Sequence, residues 1–363
     1  MQVAILHDCI FKKDILSQLL EQLFFILPEA DMFLLDYDRE TLPANILTRD
    51  ITKSRLTYSA FSHFEDTMRD IAKLRKEILK FNFAPYSLII TTSPGPVRWL
   101  KHERGKPFMQ LAYIITSDSP LYDPGKSGRF SGLFAKDELE KLREEDMKST
   151  MAADFVVTSC VYMRTKLNER YGIDPEVVTP PVADHIFYPR GNTTFDYYVA
   201  ACNFESKSQV LPLLETFTYL NTPLMVFGQG SEEEKWREKM ISPNLRFITP
   251  RGETERAKLL AGAKALFISE PGSYWHIALE ALRMGVPVIC AADTSASEFV
   301  SNHIDGLVYR ENSADELFSA IFKFESMNFS RKKIAERFSH LSRQKFQQDM
   351  RKYLVNTMQL LTT

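Results

Sequence analysis

The sequence predicts an α/β protein made of two doubly wound domains, each with a parallel sheet covered by helices. Short apolar runs alternate with helical patterns along most of the 363 residues, which is the order typical of such sheets. The alternation stops at residues 179–196, a Pro- and Asn-containing segment, and then restarts with a similar rhythm. Because 44% of the residues are apolar, a chain of this length can bury two hydrophobic cores.

The composition excludes several classes of protein. A net charge of −2 argues against nucleic-acid binding dominated by phosphate contacts, so we expect no nucleic-acid partner. The sequence has no run of 18 apolar residues, so no transmembrane helix is predicted. The opening MQVAILHD resembles a strand and not a secretory signal, so a cytoplasmic location is expected. Four separated cysteines end apolar runs and predict free thiols in place of disulfides or a metal site: Cys9, Cys160, Cys202 and Cys290.

The N-terminal half contains six strand candidates. They are VAIL, MFLLDY, SLIITTS, FMQLAYIIT, DFVVTSC and EVVTPPV. Apolar side chains spaced for one buried face predict a helix over residues 64–80. The mixed charges of FAKDELEKLREEDMK predict an exposed helix with i,i+4 ion pairs and no further role.

The C-terminal half contains six more strand candidates: YYVAAC, PLMVFGQG, NLRFIT, ALFISE, PVICAAD and GLVY. Helices are predicted over residues 208–220, 232–240, 253–263, 275–284 and 314–324, and one or two polar, basic helices from Arg331 onward. The predicted domains are residues 1–185 and 193–340, with residues 341–363 returning to the first domain. Ligands of such sheets bind at the C-terminal ends of the strands, so the site is expected in the cleft between the domains.

The stretch SEPGSYWHIALEALRMGVPVI carries the main functional hypothesis. A strand enters a helix through a Pro-Gly-Ser turn, and a helix start with its unpaired N–H groups favours an anion such as a diphosphate. Glu280 lies about a turn and a half after Trp275, where a carboxylate can accept hydrogen bonds from a vicinal diol. An ordinary strand–helix turn, with Glu280 paired locally, is the alternative. Gly285 is expected to end the helix.

Several segments together resemble one enzyme family. FISEPGSYWHIALEALRMGVPVICAADTSASEFVSNHIDGLVY is similar to the donor-site segment of the retaining glycosyltransferases of family 4, which have the GT-B fold. ADFVVTSCVYMRTKLNERYGIDPEVVTPPVADHIFYP, VAILHDCI and GQGSEEEKWRE fit the same family in the same order. SDSPLYD stands where mannosyltransferase-like members carry an HTP turn. The resemblance covers most of the chain.

The resemblance implies a metal-independent, cofactor-free hexosyltransferase of surface polysaccharide synthesis. Its donor is expected to be a UDP- or GDP-linked nucleotide-sugar, and its acceptor a glycan or a lipid-linked glycan. The family glutamate that binds ribose falls on Glu280, and its lysine on the diphosphate falls on Lys207. Three positions depart from the family: Gly272 replaces a sugar-contacting glutamate, Asn203 replaces an arginine, and Trp275 replaces a glycine. The Trp275 indole is expected to crowd the diphosphate.

Other candidates surround this segment. Ser273 and Tyr274 complete the donor-binding turn, and Glu270 is the nearest carboxylate that can replace the missing glutamate. His276 can supply positive charge if it is protonated, and a packed, neutral histidine is the alternative. Arg251, which follows the third strand of this half, is either a second cation or a solvated loop residue.

The N-terminal half offers candidates for the acceptor side. Asp118 is a catalytic candidate that can contact the sugar or the acceptor, and Asp123 is close to it; turn-forming aspartates are the alternative. His7 and Asp8 end the first strand and either face the site or form a satisfied pair. The basic, aromatic run VRWLKHERGKP, which begins at Val97 and Arg98, is either a peripheral membrane contact to anionic headgroups or a solvated loop.

The departures in the donor motif leave a second hypothesis open. Loss of one of two fixed cations can cost a few kcal/mol of transition-state stabilisation, by analogy with removal of one oxyanion-hole donor. A GT-B-shaped protein that has lost transfer activity and binds a partner or a glycan is therefore the alternative to an active transferase.

Overall fold

The computed structural model describes most of the chain. The described residues are 2–11, 15–55, 76–92, 96–100, 108–115, 136–191, 195–204, 207–220, 222–230, 232–269, 272 and 274–359. The chain divides into two compact units, of which unit 1 is Met1–Pro181 with Gln344–Thr363 and unit 2 is Val182–Arg343. Each unit contains one parallel sheet with helices, so the predicted α/β class is confirmed.

Unit 1 contains a seven-stranded parallel sheet in the order β3-β2-β1-β4-β5-β6-β7. Its strands are β1 Val3–Ile10, β2 Asp31–Tyr37, β3 Ile51–Lys53, β4 Leu88–Thr91, β5 Met109–Ile114, β6 Phe155–Thr158 and β7 Glu176–Val177. Its helices are α1 Ile15–Ile26, α2 Ala44–Leu47, α3 Lys136–Ala152, α4 Val161–Tyr171 and, from the C-terminal part of the chain, α11 Arg343–Gln359. Short 3-10 turns cover Arg39–Thr41 and Pro96–Trp99.

The central strands of unit 1, such as β4 and β5, are buried and mostly apolar, as expected for a parallel sheet that helices cover on both faces. Ala4, Leu6, Phe33 and Ile89 belong to one buried cluster of this sheet. The six predicted strands are confirmed, whereas β3 was not predicted because its three residues lie at the edge of the sheet, partly exposed. The predicted helix over residues 64–80 lies mostly outside the described residues.

Unit 2 contains a six-stranded parallel sheet in the order β10-β9-β8-β11-β12-β13. Its strands are β8 Tyr198–Asn203, β9 Leu224–Gln229, β10 Leu245–Phe247, β11 Leu266–Ile268, β12 Val288–Ala291 and β13 Gly306–Tyr309. Its helices are α5 Lys207–Tyr219, α6 Glu233–Lys239, α7 Glu253–Gly262, α8 Trp275–Arg283, α9 Ala314–Glu325 and α10 Arg331–Arg337. All six predicted strands and the five predicted helices are confirmed, each helix end within about one residue.

The direction of strand addition in unit 2 reverses between β8 and β11, which are hydrogen-bonded neighbours. In open parallel sheets this reversal leaves a crevice at the carboxyl ends of the two strands, where ligands bind. The helix that follows β11, α8, ends as predicted at Gly285, which adopts a φ of +79°. The Val286 N–H returns to the Ala281 carbonyl at 2.9 Å and closes the helix end. The predicted strand, helix and second strand of this segment are thus present as β11, α8 and β12.

A buried ion pair in unit 1 corrects two predictions. Arg98, in the 3-10 turn after β4, pairs with Asp146 of α3, and the Tyr171 hydroxyl donates to the second oxygen of that carboxylate. Gln110 on β5 donates to the Arg98 carbonyl at 2.6 Å. Arg98 is therefore buried and is not part of an exposed membrane-binding patch. The prediction that α3 carries only exposed ion pairs holds for Glu144 and Lys148 but is wrong for Asp146.

The four cysteines have no disulfide partner, as predicted. In the described part of the chain, no helix is both long enough and apolar enough to cross a bilayer.

Candidate functional site

Three side-chain hydrogen bonds connect the loops at the C-terminal edge of the unit 2 sheet. The Tyr274 hydroxyl donates to the Cys202 carbonyl near the end of β8 at 2.8 Å, across the switch point between β8 and β11. Ser269, directly after β11, donates to a main-chain carbonyl in the first turn of α5 at 3.3 Å. Ser295, after β12, donates to the Gly272 carbonyl at 3.3 Å. The starts of α5 and α8 are therefore held beside each other at the point where this fold binds ligands.

The Trp275 side chain does not crowd the entrance to α8. Its indole is 1% exposed and packs beside Phe299, with ring centroids 6.5 Å apart. The indole therefore belongs to the core, and the expected clash with an anion at the helix start is not found. The Ile277 N–H donates to the Tyr274 carbonyl at 3.0 Å at the start of this helix. The macrodipole of α8 places partial positive charge at the same end, which favours an anionic ligand there.

Glu280 is buried on α8 and paired with Arg256 of α7. The Arg256 Nε donates to Oε2 at 2.7 Å and its Nη2 donates to Oε1 at 2.6 Å, which is a bidentate contact. Burial raises the pKa of the Glu280 carboxyl, and the Arg256 charge and hydrogen bonds beside it act in the opposite direction. The local pairing that was the alternative interpretation of Glu280 is thus present. That the same carboxylate also binds ribose remains a prediction.

Arg256 itself is stacked on an aromatic ring. Its guanidinium carbon lies 5.4 Å from the centroid of Phe187, which is fully buried in the segment between β7 and β8. Neither Arg256 nor Phe187 was predicted from the sequence as a site residue. The run RGETERAKLL looks like the charged, solvated start of a helix, and no periodicity indicates which of its arginines points inward.

Three predicted donor-binding residues lie at the same edge of the sheet but at different distances from α8: the cations Lys207 and Arg251, and Asn203. Lys207 is the exposed first residue of α5, and Asn203 is the last residue of β8, so both lie next to the switch point. Arg251 follows β10, two strands away from β8 and therefore about 10 Å along the sheet. Its N–H bonds Glu255 at 2.7 Å, while its side chain is exposed. Lys207 is the better placed cation for a ligand at α8.

His276 is half-buried in the first turn of α8. Its ring stacks against Tyr274, with centroids 6.5 Å apart and planes at 18°, and meets the Trp275 ring edge-on at 5.8 Å. The histidine is packed between aromatic rings at the helix start. Four other candidates, Asp118, Asp123, Glu270 and Ser273, lie outside the described residues.

In the described part of the chain, no group of three or more His, Cys, Asp and Glu side chains is arranged to hold a metal ion. A cavity of about 490 Å³ does open on unit 2, lined by residues that include Lys264 and Pro287. Both residues precede strands, so this cavity lies at the N-terminal edge of the sheet. It contains none of the predicted site residues.

In unit 1, His7 and Asp8 lie within β1 and each contacts a residue that follows β4. His7 Nδ1 lies 2.9 Å from the Thr92 hydroxyl oxygen, and the Asp8 carboxylate accepts from the Val97 N–H at 3.4 Å. Burial lowers the pKa of His7 to about 4. His7 is therefore neutral near pH 7, and the satisfied pair that was its alternative interpretation is observed.

We expect the buried His7 to make unit 1 sensitive to acid. Between pH 6.5 and about 4 the unfolded chain binds a proton at His7 and the folded chain does not, so stability falls as the pH falls through this range. The shift corresponds to about 3 kcal/mol, at about 1.4 kcal/mol per pKa unit. Urea unfolding of His7→Asn at pH 7 and pH 4.5 is expected to show a smaller acid loss than the native chain. His340→Asn, at an exposed position, should lose as much stability between pH 7 and pH 4.5 as the native chain. An equal loss of stability in His7→Asn and His340→Asn would contradict the prediction.

One family model matches part of unit 2. The model for glycosyl transferases group 1 matches residues 200–340, which include β8 through α10 and the Glu280–Arg256 pair. A search of curated protein sequences found no match.

Solved structures match almost the whole chain. Sucrose-phosphate synthase from Thermosynechococcus elongatus is 14% identical with a TM-score of 0.76, and the match covers 99% of this chain and 100% of that one. Anabaena HepE in complex with UDP is 11% identical with a TM-score of 0.67, covering 98% and 100%. The lipopolysaccharide outer core galactosyltransferase WaaB, in its apo form, is 15% identical with a TM-score of 0.64, covering 98% and 100%. These likenesses show the fold: the chain has the GT-B fold that the sequence predicts.

Proposed function

We propose that this chain is a retaining glycosyltransferase that moves a hexose from a nucleotide-sugar to a glycan or lipid-linked acceptor in surface polysaccharide synthesis. The observation that carries the proposal is the start of α8 at the switch point of the unit 2 sheet, with the carboxylate of Glu280 one and a half turns behind it. The match to the glycosyl transferase family model falls on this same unit and supports the proposal.

In this proposal the diphosphate of the donor binds at the start of α8. The first N–H groups of the helix and its dipole face the phosphate oxygens, and Lys207 at the start of α5 supplies a full positive charge. Asn203, which stands where a second cation is expected, contributes a hydrogen-bond donor without charge. The ribose hydroxyls reach Glu280, on the helix whose start holds the phosphates.

The proposed reaction breaks the bond between the anomeric carbon and the diphosphate oxygen. The acceptor oxygen forms the new bond to that carbon, and the nucleoside diphosphate leaves with the electron pair of the broken bond. The proton of the acceptor hydroxyl passes to an oxygen of the departing diphosphate. Negative charge therefore grows on the diphosphate in the transition state, where preorganised donors and a lysine are most effective. No metal ion is needed for this stabilisation.

The names of structural neighbours support UDP as the nucleotide. Anabaena HepE is described in complex with UDP, with UDP and glucose, and with UDP-glucose. WaaB is described as a galactosyltransferase of the lipopolysaccharide outer core, which supports a glycan or lipid-linked acceptor. Both are only distantly similar in sequence, so the donor sugar and the linkage are left open.

A binding protein without transfer activity is the second candidate. It is favoured by Asn203 in place of a cation and by Gly272 in place of a sugar-contacting carboxylate.

Thermal shift with UDP and GDP, followed by a donor-hydrolysis assay, tests the proposal. We expect UDP or GDP to stabilise the native chain, and Lys207→Ala to weaken binding about 10- to 100-fold through loss of a charge-assisted contact. Lys332→Ala is the matched control, because Lys332 is exposed on α10, away from the C-terminal edge. No shift with either nucleotide contradicts the transferase and favours the binding protein. Binding without hydrolysis or transfer would indicate the inactive homologue.

A further inference from the structure

The Arg256 side chain is held between two buried groups. On one side its guanidinium makes two hydrogen bonds to Glu280, and on the other it stacks on the Phe187 ring at 5.4 Å. The side chains of Arg256 and Glu280 are only 15% and 4% exposed. The ring contact and the two hydrogen bonds together fix the plane of the guanidinium group. The guanidinium group in turn fixes the plane of the carboxylate that it contacts.

The contact uses only part of the acceptor capacity of the Glu280 carboxylate. An ionised carboxyl group offers about four lone-pair positions on its two oxygens. The fork of Arg256 uses one position on each oxygen. The remaining positions, one on each oxygen, match in number the two hydroxyl donors of a vicinal diol. A bidentate arginine therefore orients Glu280 without using its whole capacity as an acceptor.

Arg256 also opposes the effect of burial on Glu280. Burial raises the pKa of this carboxyl, and Glu253, on the same helix as Arg256, raises it further. The charge and the hydrogen bonds of Arg256 lower it. Without Arg256 the carboxyl would hold its proton to higher pH, and a protonated carboxyl has fewer acceptor positions for a diol.

We propose that Arg256 is a positioning residue for ribose recognition: its two hydrogen bonds hold the Glu280 carboxylate in one plane, and the Phe187 ring lies against the guanidinium. This inference rests on the proposed function, because it assigns the diol to the ribose of a bound nucleotide. Arg256 acts through Glu280 and does not itself contact the ligand. Phe187 makes the segment between β7 and β8 part of the support of the site.

The test compares UDP with 2′,3′-dideoxy-UDP, which lacks both ribose hydroxyls, by calorimetric titration. We expect the native chain to bind UDP about 10- to 100-fold more tightly than the dideoxy nucleotide. In Arg256→Gln this ratio is expected to fall close to one, while the dideoxy nucleotide binds as it does to the native chain. Arg256→Lys, which keeps the charge but not the fork, should give an intermediate ratio. Phe187→Leu, which keeps Arg256 but not the ring, should also lower the ratio.

Arg337→Gln is the matched control. It breaks the pair between Arg337 and the fully buried Asp305, at the N-terminal edge of the same sheet, and should leave the ratio unchanged. The pH series separates a positioning role from a structural one. The titrations above are made at pH 6; at pH 8 the ratio of the two affinities in Arg256→Gln should rise again as the Glu280 carboxyl ionises, whereas the native ratio should be the same at both pH values. The titration of the diphosphate cancels in this ratio, because both nucleotides carry it. The inference is overturned if Arg256→Gln loses affinity equally for both nucleotides with no pH dependence. It is also overturned if the ratio of the two affinities is the same in Arg256→Gln as in the native chain. If the native chain binds neither nucleotide, the proposed function itself fails.

Discussion

We expect Asp146→Ala to lower the free energy of unfolding by about 3–5 kcal/mol, because removing one partner of a buried ion pair leaves the other charge in the interior. The Asp146 side chain is fully buried, Arg98 is 5% exposed, and the Tyr171 hydroxyl donates to the same carboxylate. Urea unfolding followed by circular dichroism measures the change.

Two further variants define the cause of this loss. Glu144→Ala, on the same helix, removes an exposed pair with Lys148 and should change stability little. The double variant Arg98→Met with Asp146→Leu replaces both charges by apolar groups and should recover most of the lost stability. A loss below about 1 kcal/mol in Asp146→Ala contradicts the prediction. Such a result would mean that water reaches the pair.

We expect Trp275→Ala to lower the free energy of unfolding by about 3–5 kcal/mol, the range for truncating a large buried aromatic side chain. The indole is 1% exposed at the first turn of α8, beside Phe299. The expected functional result differs from the stability result. If only the main chain of this turn contacts the diphosphate, Trp275→Phe should keep the UDP affinity of the folded protein within about twofold.

Thermal unfolding and UDP titration on the same samples separate the two effects. Phe318→Ala on α9 is the control, since its side chain is 36% exposed and its truncation should cost much less. A large loss of UDP affinity in Trp275→Phe, with stability retained, would show that the indole contacts the ligand and would contradict the core assignment.

Most of the fold could be predicted because parallel strands and amphipathic helices have strong local patterns. Every predicted strand is present, and helix ends such as that at Gly285 follow from residues with special backbone conformations. The edge strand β3 could not be predicted, because three residues with partly exposed side chains have no detectable period. A local sequence pattern therefore suffices to predict a strand or helix that is long and buried.

The candidate site could be predicted less completely because side-chain direction depends on tertiary packing. The position of Glu280 was predicted, but its bidentate partner Arg256 was not, since one of several charged residues at the start of α7 turns inward. Trp275 was expected in the site, and the structure places its indole in the core. Arg98 and Asp146, 48 positions apart in the chain, each looked solvated in their own segment, and only the fold brings them together.

The central claim is that the start of α8 binds a nucleoside diphosphate whose ribose reaches Glu280. A crystal structure of the chain soaked with UDP tests it most directly. The proposal predicts phosphate oxygens within hydrogen-bond distance of the first N–H groups of α8, with both ribose hydroxyls on the Glu280 carboxylate opposite the Arg256 fork. Density for UDP at another surface, or a ribose that leaves Glu280 in contact with Arg256 alone, would contradict it.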